Sequence, residues 1–127
     1  MAAILVQDGT ARFVERWYAE HAMWAPLRRH PVYERLVAAR SGGDAIALAK
    51  ALRCMSPGRQ APLWDALKEG PPQLVVVGSE DEAYCRIADE MAENNTKASV
   101  VRLDGCGHAV HVENAVGVVA AVTKWLR

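Results

Sequence analysis

Gly70-Pro71-Pro72 is the strongest interruption in this sequence, and the residues on its two sides follow different patterns. Directly after it comes Gln73-Leu74-Val75-Val76-Val77-Gly78, an unbroken apolar run dominated by β-branched residues. Such a run suits a strand buried on both faces, as in a parallel sheet. A helical pattern follows from about Glu82 to Glu93, with Ile87, Ala88 and Met91 expected inward. Asn94-Asn95-Thr96 turns the chain into a second strand, Ala98 to Leu103, and Asp104-Gly105-Cys106-Gly107 reads as a loop. The last helix is expected from about Glu113 to Leu126, with Val116, Val119, Val122 and Leu126 facing the core. Strand, helix, strand, helix at this spacing predicts two parallel βα units with a right-handed crossover. Two parallel strands alone leave unpaired edges. The sheet is therefore expected to be completed from elsewhere, by an N-terminal half of the same fold or by self-association.

Before the break the pattern is helical. Thr10 can N-cap a helix with Phe13, Val14, Trp17 and Tyr18 on its apolar stripe, and Pro26 limits its extent. Pro31 suits the first turn of a second helix carrying Val32, Leu36 and Val37, which Ser41-Gly42-Gly43 ends. Asp44 caps a third, bearing Ile46, Leu48, Ala49 and Leu52, and Pro62 to Lys68 reads as a short fourth helix. Four short helices make a cap more readily than a bundle. The expected organisation is thus α/β, a helical cap segment over residues 1–70 and a βαβα part over residues 71–127.

Composition removes several function classes. Among 127 residues, 15 Lys+Arg balance 15 Asp+Glu for a formal net charge of +0, so the basic excess that phosphate binding requires is absent. No nucleic-acid partner is expected. Hydrophobic residues at 51% and charged residues at 24% fit a chain with a core and not a disordered one. No apolar run approaches the ~20 residues of a membrane span, and the apolar start from Met1 to Val6 lacks the basic flank and cleavage site of a secretion signal. Cys54, Cys85 and Cys106 are odd in number and have no C-x-x-C spacing, which fits a reducing compartment better than a disulfide framework. Cys106, His108 and His111 lack the second ligand pair of a zinc site, so neither a metal nor a cofactor is expected.

In an open parallel sheet, ligands sit beyond the carboxyl ends of the strands. Two polar groups follow those ends: Asp81, in Gly78-Ser79-Glu80-Asp81, and His108, in Gly105-Cys106-Gly107-His108. An acid there can hold a neighbouring imidazole in one tautomer and stabilise its protonated form. Read singly, Asp81 is equally a helix cap and His108 a loop histidine packed beside glycines. As a pair, acid before histidine, they match the later part of the Ser…Asp…His order of α/β-hydrolases.

Those residues, with Gly107-His108-Ala109-Val110-His111-Val112-Glu113-Asn114, resemble the C-terminal part of the α/β-hydrolase fold. Trp17-Tyr18, Leu36 to Ser41 and Met55 to Trp64 narrow the resemblance to SHCHC synthases of the MenH type, most of all to the MenH-like module of the plant and algal PHYLLO proteins. The resemblance runs from about Thr10 onward. It implies a lyase on a hydrolase scaffold, which eliminates pyruvate from a cyclohexene dicarboxylate to give 2-succinyl-6-hydroxy-2,4-cyclohexadiene-1-carboxylate. Carried over by position, Asp81 and His108 match the triad acid and histidine. Arg40 matches an arginine that binds substrate carboxylate, and Trp17 a pocket aromatic. A small-molecule carboxylate is the substrate class implied, since guanidinium forks bind carboxylates bidentately. Arg40 also reads as a solvated helix-end residue, Trp17 as core packing, and Arg59 is a weaker additional candidate. The relatives are bacterial-cytosolic or plastid, and the sequence does not choose between these compartments.

Two departures stand out. Ala115 occupies a position where the family usually has proline, and no G-x-S-x-G nucleophile elbow occurs in these 127 residues. The expectation is therefore a C-terminal portion of a MenH-type enzyme, carrying the triad Asp and His without the serine and inactive alone. A fragment of a hydrolase acting on an ester or C–C bond, and a non-catalytic interaction module, remain as alternatives.

Overall fold

The computed structural model describes all residues, Met1–Arg127. Its helices are α1 (Ala2–Glu20), α2 (Ala25–Arg28), α3 (Tyr33–Arg40), α4 (Ala45–Cys54), α5 (Trp64–Lys68), α6 (Glu82–Asn94), α7 (Val110–Glu113) and α8 (Ala115–Trp125). The strands are β1 (Gln73–Gly78) and β2 (Ala98–Leu103), with short 3-10 turns at Ala22–Trp24 and Pro57–Arg59. These elements form two compact units: Met1–Ala22 with Pro31–Ala61, and Met23–His30 with Pro62–Arg127. No helix is long and apolar enough to cross a membrane.

The first unit is helical, with α1 packed against α3 and α4. Leu5, Val14 and Tyr18 of α1 and Ala49 of α4 are its buried apolar side chains. Helix α1 begins well before the expected start at Thr10, and Gly9 interrupts it at φ 79 and ψ 166, where only glycine sits without strain. Thr10 is not a side-chain cap. Its buried hydroxyl donates to the Gly43 carbonyl at 3.0 Å, tying α1 to the turn before α4. Asp44 does cap α4, accepting from the Ile46 and Ala47 amides at 2.8 and 3.3 Å. Ile46, Leu48 and Leu52 of the same helix are exposed.

In the second unit β1 and β2 pair in parallel, from Gln73 opposite Ala98 to Gly78 opposite Leu103. This is an α/β arrangement, and both strand spans agree with the sequence expectation. Helices α6 and α8 each pack on both strands. Asn95, 1% exposed, closes the α6–β2 turn by donating to the Pro71 carbonyl and accepting from the Lys97 amide. With only two strands, Leu74, Val75 and Val76 stay half-buried where burial on both faces was expected, and Val77 is the one buried apolar side chain of β1.

Helix α8 corrects a second expectation. Val116, Val119, Val122 and Leu126 are exposed, not core-facing, with Val116 at 82%. Gly117, Ala120, Ala121, Lys124 and Trp125 instead line a cavity of about 560 Å³ with Ser99, Val101 and Leu103 of β2. The cap sets this phase: Asn114 accepts from the Gly117 amide at 2.8 Å, and a Cβ at Gly117 would lie 2.9 Å from the Asn114 side chain. Ile87 of α6, also expected inward, is exposed, whereas Ala88 is buried.

Candidate functional site

The parallel register leaves Gly78 and Leu103 side by side, so the loops after β1 and β2 emerge together. Backbone hydrogen bonds lace these loops: the Ser79 amide donates to the Leu103 carbonyl at 3.0 Å and the Glu80 amide to the Cys106 carbonyl at 2.9 Å. The Ser79 hydroxyl accepts from the Gly105 amide at 3.1 Å. Only glycine fits at 78, because a Cβ there would fall 2.2 Å from the Cys106 carbonyl oxygen. At Gly107 a Cβ would meet Pro26 Cγ at 2.6 Å.

This lacing brings Asp81 and His108 together. His108 Nδ1 lies 2.7 Å from Asp81 Oδ2, while Asp81 Oδ1 accepts from the Tyr84 amide at 3.2 Å. The cap and the histidine contact are thus made by the same carboxylate, one oxygen each. Asp81 is only 8% exposed, and both oxygens have partners. An ionised carboxylate only accepts hydrogen bonds, so beside one Nδ1 is the donor, and in that tautomer of a neutral imidazole Nε2 carries the free lone pair. The imidazole meets Tyr84 edge-on at 4.5 Å and Trp24 at 5.2 Å between centroids. Asp81, Tyr84, His108, Gly107 and Val110 line a cavity of about 190 Å³ with the end of β1.

Glu113 holds the histidine loop. Its Oε2 accepts from the Gly107 amide at 2.7 Å and its Oε1 from the Ala109 amide at 3.0 Å. Cys106 is buried, and that burial pushes its thiol pKa up, with the negative Glu113 adding to the effect. A raised thiol is a poor thiolate ligand or nucleophile.

Arg40 and Trp17 lie in the helical unit. The Arg40 guanidinium, at the end of α3, donates to the Tyr18 hydroxyl, with its Cζ 5.6 Å from the centroid of that ring. Trp17 stacks on Phe13 at 6.2 Å and meets His21 at 3.8 Å between ring centroids. It also lines a cavity of about 110 Å³ with Ile4, Arg16 and Glu20. Arg59 is exposed and donates to the Arg53 carbonyl at 2.8 Å. Sequence reasoning does not reach Glu113, Tyr84 and Trp24 as site residues. The signal for Tyr84 was its place three residues after a capping acid, and for Glu113 its spacing from the Gly107–His108 turn.

The Alpha/beta hydrolase family matches residues 2–122 of this chain. The chain is 33% identical over 135 residues to "Protein PHYLLO, chloroplastic" of Arabidopsis thaliana, which covers 98% of this chain and 8% of that protein. It is 28% identical over 116 residues to the "Putative 2-succinyl-6-hydroxy-2,4-cyclohexadiene-1-carboxylate synthase" of Bacillus subtilis (strain 168), covering 89% and 42% respectively. Among solved structures, MenH from S. aureus superposes with a TM-score of 0.88 at 26% identity, over 99% of this chain and 50% of that one. The chain therefore spans half or less of the length of these relatives.

Proposed function

We propose that this chain, which belongs to the alpha/beta hydrolase family, contributes the acid and histidine of a MenH-type lyase site in menaquinone or phylloquinone biosynthesis. The observation that carries this reading is the 2.7 Å contact between His108 Nδ1 and the buried Asp81 carboxylate. The name of the Bacillus subtilis relative, a putative 2-succinyl-6-hydroxy-2,4-cyclohexadiene-1-carboxylate synthase, and that of the S. aureus structure, a MenH, support this reading.

In this reading Asp81 fixes the tautomer of His108 and stabilises its protonated form. His108 Nε2 takes the hydroxyl proton of a serine, and the activated serine removes a proton from the substrate ring. The C–H electron pair becomes a new ring double bond while the bond from the ring to the leaving group breaks. That group departs as the enolate of pyruvate and takes up a proton, and no acyl-enzyme forms. Arg40 pairs with a substrate carboxylate, and Trp17 provides an apolar wall. The serine comes from chain outside these 127 residues, since no G-x-S-x-G occurs among them. That same segment, of the N-terminal-half type, adds strands to the open sheet and covers the exposed valines of α8. The cap expected over residues 1–70 is narrowed to the helical unit, Met1–Ala22 with Pro31–Ala61, while Met23–His30 and Pro62–Gly70 join residues 71–127 as part of the catalytic core.

The test is pyruvate release from the cyclohexene dicarboxylate substrate by the chain alone and by the chain mixed with the uncovered half of a MenH relative. Negligible turnover alone, restoration on mixing and its loss with His108→Ala are the expected results. Restored turnover that survives His108→Ala would refute the assignment.

A further inference from the structure

We infer that Glu113 is a positioning residue, whose carboxylate clamps the backbone on both sides of His108 and thereby keeps Nδ1 on Asp81. His108 belongs to no helix or strand, so no ladder of hydrogen bonds sets its backbone. The residues on either side of it, Gly107 and Ala109, donate their amides to the two oxygens of the same half-buried carboxylate, at 2.7 and 3.0 Å. Hydrogen bonds to an ionised acceptor are about twice as strong as neutral ones. Two of them bracketing one residue remove the rotations that would swing its side chain away. Pro26, against which Gly107 packs without room for a Cβ, leaves that residue little space to move. Glu113 also ends α7, the four-residue helix that His108 precedes, so the turn of helix and the clamp form together.

Asp81 supplies the partner for Nδ1, but its other oxygen accepts from the Tyr84 amide at 3.2 Å, so following a displaced imidazole would stretch that cap contact. The clamp is therefore what makes the 2.7 Å contact persistent. This inference rests on reading His108 as the base of the site, and its test needs no turnover.

The experiment is NMR of the full chain labelled with 15N at histidine, with His108 assigned by His108→Gln, reading the slowly exchanging Nδ1 proton of His108. The wild type is expected to show that resonance, and Glu113→Ala to lose it while circular dichroism reports a folded chain. Asp44→Ala removes the cap of α4 in the helical unit without touching the clamp, and is expected to keep the resonance despite a lower melting temperature. Should Glu113→Ala not fold, Glu113→Gln decides: its single carbonyl oxygen keeps one of the two bonds, and faster exchange of the His108 proton is expected. An unchanged resonance in a folded Glu113→Ala or Glu113→Gln chain overturns the clamp alone. Absence of the resonance in the wild type overturns the His108–Asp81 pair, and with it the reading of the site.

Discussion

The helical and strand-bearing units are held by different kinds of contact. In the strand-bearing unit the backbone does the ordering: a six-residue parallel register, loops laced amide to carbonyl, and a glycine at 78 with no space for a side chain. In the helical unit the ordering comes from side chains, with a seam of Leu5, Val14, Tyr18 and Ala49 and single polar ties such as Thr10 to Gly43 and Arg40 to Tyr18. Backbone lacing has few soft degrees of freedom, whereas long side chains on short helices can repack. Proton transfer requires placement within hydrogen-bond reach, and the acid–histidine pair is found on the laced loops. Recognition of a charged substrate group tolerates more movement, and Arg40 and Trp17, assigned to it in our proposal, stand on helices.

The largest expected effect separates chemistry from stability at one residue. In the complemented enzyme, Asp81→Asn should lower turnover by about 10⁴-fold, because the amide favours the wrong imidazole tautomer. The amide oxygen can still cap Tyr84, so the melting free energy should change by less than about 1 kcal/mol. Parallel assay and urea melts check this; equal losses of activity and stability would show Asp81 to be only a cap. Next, Gly78→Ala forces a Cβ to 2.2 and 2.3 Å from two backbone oxygens, of Cys106 and Gly107. Neither oxygen belongs to a flexible side chain, so a loss of about 3 kcal/mol is expected by urea melting. The matching change in the helical unit is Asp44→Ala, which removes the cap of α4 and should cost about 1 kcal/mol. If Asp44→Ala proves as costly as Gly78→Ala, the contrast between laced and side-chain ordering fails.

What could be read in the sequence follows the same division. The span of β1 was legible because a β-branched run stood between Pro72 and the glycine at 78, and the pairing of Asp81 with His108 because each follows a strand end. The core face of α8 was not legible, since Ala115-Val116-Gly117-Val118-Val119-Ala120-Ala121-Val122 is apolar on every side and periodicity cannot choose a face. There the Asn114 cap and the absence of a side chain at Gly117 decided the phase, through contacts invisible to hydrophobic counting. Helix α7 was hidden for a similar reason: four residues carry no period, and Glu113 stabilises the start by reaching backward to Gly107 and Ala109. The early start of α1 was not legible because Thr10 reads as an N-cap, whereas the chain is already helical before Gly9, passes through it with φ positive and resumes.

The exposed face of α8 offers a further way to sharpen the contrast. Val116, Val119 and Leu126 at 82%, 64% and 71% exposure form one stripe, and burying a valine or leucine side chain is worth roughly 1.5–3 kcal/mol. Size-exclusion chromatography of the chain alone should therefore show self-association. Changing all three to serine should return the monomer, while each change alone shifts the melt by no more than about 0.5 kcal/mol. A wild-type chain that runs as a sharp monomer with a cooperative melt, indifferent to an added complementing half, would mean that this face needs no cover.

The smallest effect is expected where the strand-bearing unit carries an ion pair instead of backbone lacing. Arg102 of β2 donates to the Asp89 carboxylate of α6, and the hydrogen bond to Asp89, then its charge, holds the guanidinium pKa above its ordinary value. A raised pKa contributes stability that is complete below the unfolded-state pKa and is lost only as pH rises through the folded one. For an arginine that window lies beyond any pH at which the chain is handled, so the raised Arg102 adds no pH dependence to folding. Both side chains are also open to solvent, at 42% and 56% exposure, where salt screens the attraction and two long side chains lose freedom on pairing. Arg102→Met should thus leave the melting temperature unchanged within error at low and at high salt, and the β1–β2 register intact by backbone amide exchange. A clear drop at low salt that disappears at high salt would show that a solvent-exposed pair, and not the backbone ladder alone, helps to hold β2 against α6.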